Sequence, residues 1–263
     1  MRQFVLPEEW DGSPRLTVGG GRARYLARVL RLAVGDEFPA IDARGGPWLC
    51  AVIKIEAENL ELGVSPRDVD QRPGPLPDLR GGKSGAEPLP VAPSSGGDPP
   101  LPFLTLVQGI PKGAKMDQIV RQAAEAGVAR IIPLESLRAC ACARAERWDR
   151  IVREALQQSG SPIMTRVERC SRLGELSDRL GAGRNRVSIL LHESPLARTS
   201  LHGYLTGAME EIVLCVGPEG GFAPEEVEFL IGGGFSPFRF PGAVLRAETA
   251  AIYAIAATQV ILA

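Results

Sequence analysis

Between Gln71 and Pro102 the chain reads QRPGPLPDLRGGKSGAEPLPVAPSSGGDPPLP, a stretch with nine of its 22 prolines and six of its 30 glycines. Proline has no N–H to give a ladder or a helix. A segment this poor in apolar periodicity cannot bury enough surface to offset its ordering entropy. The stretch is therefore expected to be a linker or insertion over 71–102, extended where proline is dense. It leaves two folding units, 1–70 and 103–263, and 263 residues are enough for two cores.

The two units carry different patterns. In the first, RYLARVLRL puts Leu26, Val29, Leu30 and Ala33 on one helical face. DEFPAID, PWLCAVIKIEA and NLELGVSP read as short strands between glycine and aspartate turns, which predicts a small β-barrel carrying one helix. In the second, strands alternate with helices. FLTLVQGI, RIIPLE, RVSILLHE and EIVLCVGP are strand-like, and FSPFRFPG is a weaker strand. Met116, Ile119, Val120, Ala123 and Ala124 form one apolar stripe, and Trp148, Ile151, Val152 and Ala155 another. A short helix is expected at LGELSDRL, a helix begun by Pro224 at PEEVEFLIGGG, and a very apolar one at the end. Such alternation predicts an α/β domain with a largely parallel sheet and ligands at the strands' carboxyl ends.

Formal net charge is −1, which argues against a globally basic nucleic-acid binder. The distribution is uneven, however. Gly12 to Gly35 holds Arg15, Arg22, Arg24, Arg28 and Arg31 and no acid, and Arg138 to Arg153 holds five more arginines against Glu146 and Asp149. Local basic faces on a neutral protein suit a structured polyanion, and equally a solvated helix face. The five cysteines (Cys50, Cys140, Cys142, Cys170, Cys215) lack metal-ligand spacing, and only His192 and His202 supply imidazole. No metal is expected. No apolar run approaches a membrane span and the first residues lack a signal-peptide core, so the expectation is a cytoplasmic protein with no membrane contact.

One corner stands out: VGPEGGFAPEE, between the strand at Ile212–Cys215 and the helix at Pro224. Three glycines there mean a tight turn or a close backbone approach to a ligand. Phosphate fits badly, because the corner has no Lys, Ser or Thr and places Glu219 in the middle. The Gly-x-Gly-x-x-Gly spacing is also absent.

LLHESPL, VGPEGGF and FPGAVLRAETAA, with KGAKMDQIVRQAAEAGV and YLARVLRLAVGD, resemble the ribosomal RNA small subunit methyltransferase E family of the SPOUT superfamily, over the whole chain except 71–102. The resemblance implies a PUA-like β-barrel over 1–70 that helps hold RNA. It implies a trefoil-knotted α/β methyltransferase domain over 103–263, assembled as a homodimer. It implies S-adenosylmethionine as cofactor and N3 of one uridine in small-subunit ribosomal RNA, naked or in an assembled subunit, as the methyl acceptor. The cofactor would lie against Leu191, His192 and Glu193, then Gly217, Pro218, Glu219, Gly220 and Gly221, then Val244, Leu245 and Arg246. RNA contacts are expected from Arg22, Arg24, Arg28, Arg31, Lys112 and Lys115.

N3 of uridine carries a proton, and its removal spreads negative charge onto O2 and O4. The site therefore needs a base or a field, and cationic donors on the carbonyls. Arg246 and Arg138 are the expected charge stabilisers or RNA contacts. Glu248 is a candidate base, with pairing to Arg246 as its alternative, and His192 is a further candidate. Three places depart from the family's pattern: Phe240-Pro241 replaces Leu-Gly, Ala223 replaces a capping hydroxyl, and Gln157 to Ser161 lacks an acid and an arginine. Two other readings stay open beside this one: a non-catalytic RNA-binding or assembly factor of the same fold, and a methyltransferase of another RNA position.

Overall fold

The computed structural model describes residues 3–56, 59–67, 102–139, 145–181, 185–193, 200–242 and 244–262. The Pro/Gly-rich stretch, save Pro102, and Cys140 and Cys142 lie outside the described residues.

The amino-terminal region runs β1 (Phe4–Val5), β2 (Arg15–Gly19), α1 (Gly20–Arg24), a π-helical turn (Tyr25–Val29), β3 (Glu37–Ile41), β4 (Pro47–Ile55) and β5 (Asn59–Pro66). The strands lie in the order β1-β3-β4-β5-β2, antiparallel except for β1 on β3. Among the described residues the hydrogen-bonded path ends at β1 and β2, so the expected small barrel is a curled half-barrel sheet. Alternate residues face one core: Phe38 and Ala40, Cys50 and Val52, Leu60, Leu62 and Val64.

The single predicted helix is also corrected. After Arg24 the hydrogen bonding changes register, and Leu30 N–H donates to Tyr25 O at 3.0 Å. This wider turn breaks the 3.6-residue stripe. Arg31, at φ 54°, then turns the chain away. Leu26 is buried and Leu30 half-buried, but Ala33 is exposed beyond the helix.

The second region runs β6 (Phe103–Gly109), α2 (Lys115–Glu125), β7 (Arg130–Glu135), α3 (Ala145–Ser159), β8 (Arg166–Val167) and β9 (Ser171–Arg172). A 3₁₀ turn (Leu173–Glu175), α4 (Leu176–Leu180), β10 (Arg186–Leu191), β11 (Glu211–Val216), α5 (Pro224–Gly232), β12 (Ser236–Phe238) and α6 (Ala247–Leu262) follow. The sheet is parallel in the order β12-β10-β11-β6-β7-β8, with β9 also on β7. Its strands are buried on both faces, which is why they read as continuous apolar runs. Leu104, Leu106, Ile131, Ile189, Ile212 and Leu214 share a core with α2, α3 and α6. Val107, Ile132, Leu134, Leu190, Val213 and Cys215 share the other with Leu176 of α4 and Leu230 of α5. Each such side chain stabilises the fold by about 1.5–3 kcal/mol.

At the strands' amino ends a polar cluster fixes register. Arg130 Nη2 meets Glu211 Oε1 at 2.6 Å, and the Thr105 hydroxyl donates to the same carboxylate at 2.7 Å. The two regions also touch. Gln3 N–H donates to Gln157 O at 3.2 Å, its amide Nε2 donates to Ser161 O at 2.8 Å, and Val5 and Ile41 enter the core beneath α3.

Candidate active site

The chain passes from β11 to β12 by crossing over β10, so consecutive strands are not neighbours. A crevice opens at the carboxyl ends where the strand order reverses. The glycine corner lies there, and its glycines have different causes. Gly221 N–H donates to Pro218 O at 2.9 Å, closing a turn, and Gly221 has φ +66°. A side chain at Gly221 would face open space. A Cβ at Gly217 would meet Gly221 Cα and the Phe222 ring at 3.3 Å, because the corner folds on itself. A Cβ at Gly220 would meet the stem of Arg138 at 3.4 Å, and Arg138 Nη1 donates to Gly220 O at 2.8 Å. Only Gly221 therefore faces free volume. The sequence gives no sign that Gly109, at the end of β6, is as tightly placed: a Cβ there would lie 2.5 Å from Pro218 Cδ.

Ala223 lacks the capping hydroxyl, and of the two reciprocal bonds of a capping box one is made: Glu226, in the first turn of α5, accepts the Ala223 N–H at 2.8 Å.

A cavity of about 450 Å³ fills the crevice. All eleven residues expected from LLHE, GPEGG and VLR line it: Leu191, His192 and Glu193 on one wall, Gly217 to Gly221 on the next, and Val244, Leu245 and Arg246 on the third. Arg138 joins them. Sequence reasoning missed Phe238 and Phe240, which stack edge-to-face at 4.8 Å, and Arg239 between them. Their weak-strand pattern gave no signal, because the wall forms only when β12 pairs with the outer edge of β10. The volume is in the range of small-molecule sites.

Residues 99–259 match the RNA methyltransferase domain family and residues 18–65 the RNA methyltransferase PUA domain family. A ribosomal RNA small subunit methyltransferase E from Synechocystis is 30% identical over 99% of this chain and 78% of its own length. This chain belongs to the ribosomal RNA small subunit methyltransferase E family. The family's Bacillus subtilis protein is 21% identical over 97% of this chain and 94% of its own. The crystal structure of the Neisseria gonorrhoeae family protein, bound to S-adenosyl methionine, superposes with a TM-score of 0.77 at 25% identity, covering 99% of this chain and 98% of that one.

Around this cavity the charges are sorted. Lys115, at the start of α2, donates to Glu219 at 2.8 Å and lies 3.8 Å from Glu248 Oε2. Lys112 N–H donates to both Glu219 oxygens at 3.1 Å. The hydrogen bond to Glu219 raises the Lys115 pKa. Burial pushes the Glu219 carboxyl up, but the Lys115 bond and the backbone N–H groups outweigh it and hold the carboxyl below its ordinary value. Glu219 is thus tied to α2, and its charge is met before any ligand arrives.

Glu248 does not take the place expected of a base. It is absent from the cavity wall, its ion-pair partner is Lys115 rather than Arg246, and its Oε2 is buried without a hydrogen bond. The acid at the start of α6 is drawn under the loop, toward α2. His192 does line the cavity, and its backbone N–H donates to Phe238 O at 2.9 Å. Cys215 is no nucleophile: burial first, then the charge of Glu226, pushes its thiol far up. Among the described residues no group of three or more His, Cys, Asp or Glu is placed to hold a metal ion.

Of the amino-terminal arginines, Arg24, Arg28 and Arg31 are exposed, while Arg22 meets Glu9 at 3.4 Å. The second arginine run is largely neutralised. Arg147 pairs with Asp117 at 2.6 Å, Arg150 with Glu154 at 3.8 Å and Arg153 with Glu8 at 3.8 Å. Arg144 lies outside the described residues.

Proposed function

We propose that this family member transfers a methyl group from S-adenosylmethionine to N3 of a uridine in small-subunit ribosomal RNA. The observation that carries the reading is the gathering of three sequence-distant loops around one cavity. Several features fit the cofactor. Gly221 leaves open space beside the backbone, Leu191, Val216, Phe238 and Leu245 give an apolar wall for a base, and Glu193 on the wall suits a cation rather than a polyphosphate. The cofactor, when bound, supplies an electrophilic methyl group on a sulfonium.

The chain's own residues handle the acceptor. Arg138, from the loop after β7, and Arg239 and Arg246, from the segment between β12 and α6, line the cavity and favour the ionised imide, whose charge resides on O2 and O4. His192 is the imidazole on the wall and the candidate proton acceptor. Glu248, beside Lys115, instead anchors the start of α6. Arg24, Arg28 and Arg31 on 1–70 meet RNA phosphates, and 103–263 carries the chemistry, with 71–102 joining them.

A homodimer is part of the proposal. Tyr253 and Val260 of α6 are 57% and 78% exposed, and Val244 on the cavity rim is 77% exposed. Tyr253 stacks edge-to-face on Phe240 of the cavity wall, so the apolar face of α6 continues into the site. A second copy covering that face would also cover the rim. The return of α6 over β11 and β6, after β12 has crossed to the far edge, supports the knotted topology. No described helix is long and apolar enough to cross a membrane, and a ribosomal RNA substrate supports a cytoplasmic location.

The test is methyl transfer from labelled S-adenosylmethionine to small-subunit RNA and to assembled subunits, followed by nuclease digestion. N3-methyluridine is expected. Cofactor binding without transfer would leave a binding factor, and a methyl group on another base or on ribose would move the specificity.

A further inference from the structure

Glu226 is a carboxylate that the methyl-transfer reading does not use, yet it is only 4% exposed. A glutamate in the first turn of a surface helix ordinarily caps with one oxygen and gives the other to water. In this chain both oxygens are taken by backbone donors from different parts of the fold. Oε2 accepts the Ala223 N–H of the glycine corner at 2.8 Å, and Oε1 accepts the Leu137 N–H of the loop after β7 at 2.8 Å.

That second donor gives the contact a functional consequence. Leu137 precedes Arg138, and the Arg138 guanidinium donates back to Gly220 O at 2.8 Å. A closed circuit results: Ala223, Glu226, Leu137, Arg138, Gly220 and again the corner. The loop's own hydroxyl does not share the load, because Ser136 Oγ is buried without a hydrogen-bond partner. The turn from Ser136 to Ala139 is closed by an Ala139 N–H to Ser136 O bond at 3.0 Å and carries Leu137 and Arg138 within it. A buried carboxylate meeting two N–H groups accepts from both at once, whereas an amide presents only one accepting atom.

We infer that Glu226 is a positioning residue that clamps the Arg138 loop to the glycine corner and thereby aims the Arg138 guanidinium at the cavity. The inference rests on the reading of Arg138 as a charge-stabilising group in methyl transfer. Glu226 touches neither cofactor nor acceptor and acts through Arg138.

The experiment is a double-mutant cycle of Glu226→Gln and Arg138→Ala in the full chain. It is read by single-turnover methyl transfer at saturating small-subunit RNA, by calorimetric titration with S-adenosylmethionine, and by thermal unfolding. E226Q is expected to slow transfer by about tenfold and to weaken cofactor binding by a few-fold. Added to R138A, it should slow transfer by no more than about twofold further, because the group it aims is already gone. If R138A transfers at the parent rate, the reading of Arg138 fails. If R138A is slow but E226Q is normal, or if the two losses multiply, the positioning role is overturned while Arg138 keeps its own. Should E226Q not fold, Glu226→Asp, with both accepting oxygens on a shorter stem, carries the same cycle with the same expected non-additivity.

Discussion

The amino-terminal sheet and the carboxyl-terminal sheet hold their functional groups in opposite ways. In the first, three exposed cations, Arg24, Arg28 and Arg31, come from one short run of sequence. In the second, the cavity collects residues from β7's loop, the end of β10, the corner after β11 and the segment between β12 and α6. The first surface depends on local sequence and tolerates a shift of its scaffold, because phosphate contacts need charge more than angle. The second depends on close packing: the corner has contacts under 3.4 Å that a single methyl group would violate. Damage to scaffold should therefore abolish cofactor binding while sparing the proposed RNA contacts of the exposed arginines, and removal of charge should do the reverse.

The sharpest challenge is Gly109→Ala. Its Cβ would lie 2.5 Å from Pro218 Cδ and 2.7 Å from Pro218 N, both ring or backbone atoms that cannot swing aside. Overpacking of this kind costs about 1–3 kcal/mol, and the corner should move. Affinity for S-adenosylmethionine is expected to fall by about a hundredfold by calorimetry, with RNA binding through the amino-terminal region kept. Unchanged affinity in a folded variant would mean that the corner does not shape the site.

Arg246→Ala should come next. Methyl transfer is expected to slow by about a hundredfold in single turnover, with RNA affinity retained, because the charge matters most as the imide ionises. A loss confined to RNA affinity would move Arg246 into the class of phosphate contacts and blur the comparison.

The double change of Arg24 and Arg28 to Ala is the converse. RNA binding should weaken, and the slope of log affinity against log salt should drop by about two contacts' worth, with cofactor affinity constant. A filter-binding salt series with the parent slope would reduce the arginine run to a solvated face.

The smallest effect concerns pH. The Glu219 carboxyl is depressed in the fold, so its contribution is present above the unfolded value and is lost as pH falls through the folded one. Lys115 is raised, so its contribution is present below its unfolded value and lost only as pH rises through the folded one. The pair therefore holds the corner from the carboxylate range up to the alkaline range. Lys115→Met should bring the acid-side loss of cofactor affinity to a higher pH, because the bond that does most to offset the burial of Glu219 is lost. The pair is partly exposed and screened, so at neutral pH the variant should lose less than about threefold. An acid limb at the parent pH would remove Lys115 from the corner's support.

The sequence alone specified the alternation of strand and helix and the stripes of α2 and α3, whose residues Met116, Ile119, Val120, Trp148, Ile151 and Val152 are all buried as their spacing requires. It also specified the corner, and it named eleven residues that share one cavity, because motif and backbone chemistry are local properties. It did not specify the wall at Phe238 and Phe240, the constraint on Gly109, the turning of Glu248 to Lys115, or the bridge made by Glu226. Nor did it show that RYLARVLRL leaves the α-helical register after Arg24. Periodicity reports which face of an element is buried. What meets at the ends of strands depends on strand order, and in this sheet β12 joins β10 from the far side while α6 returns over β11 and β6. Only that arrangement brings Gly109 against Pro218 and Leu137 against Glu226.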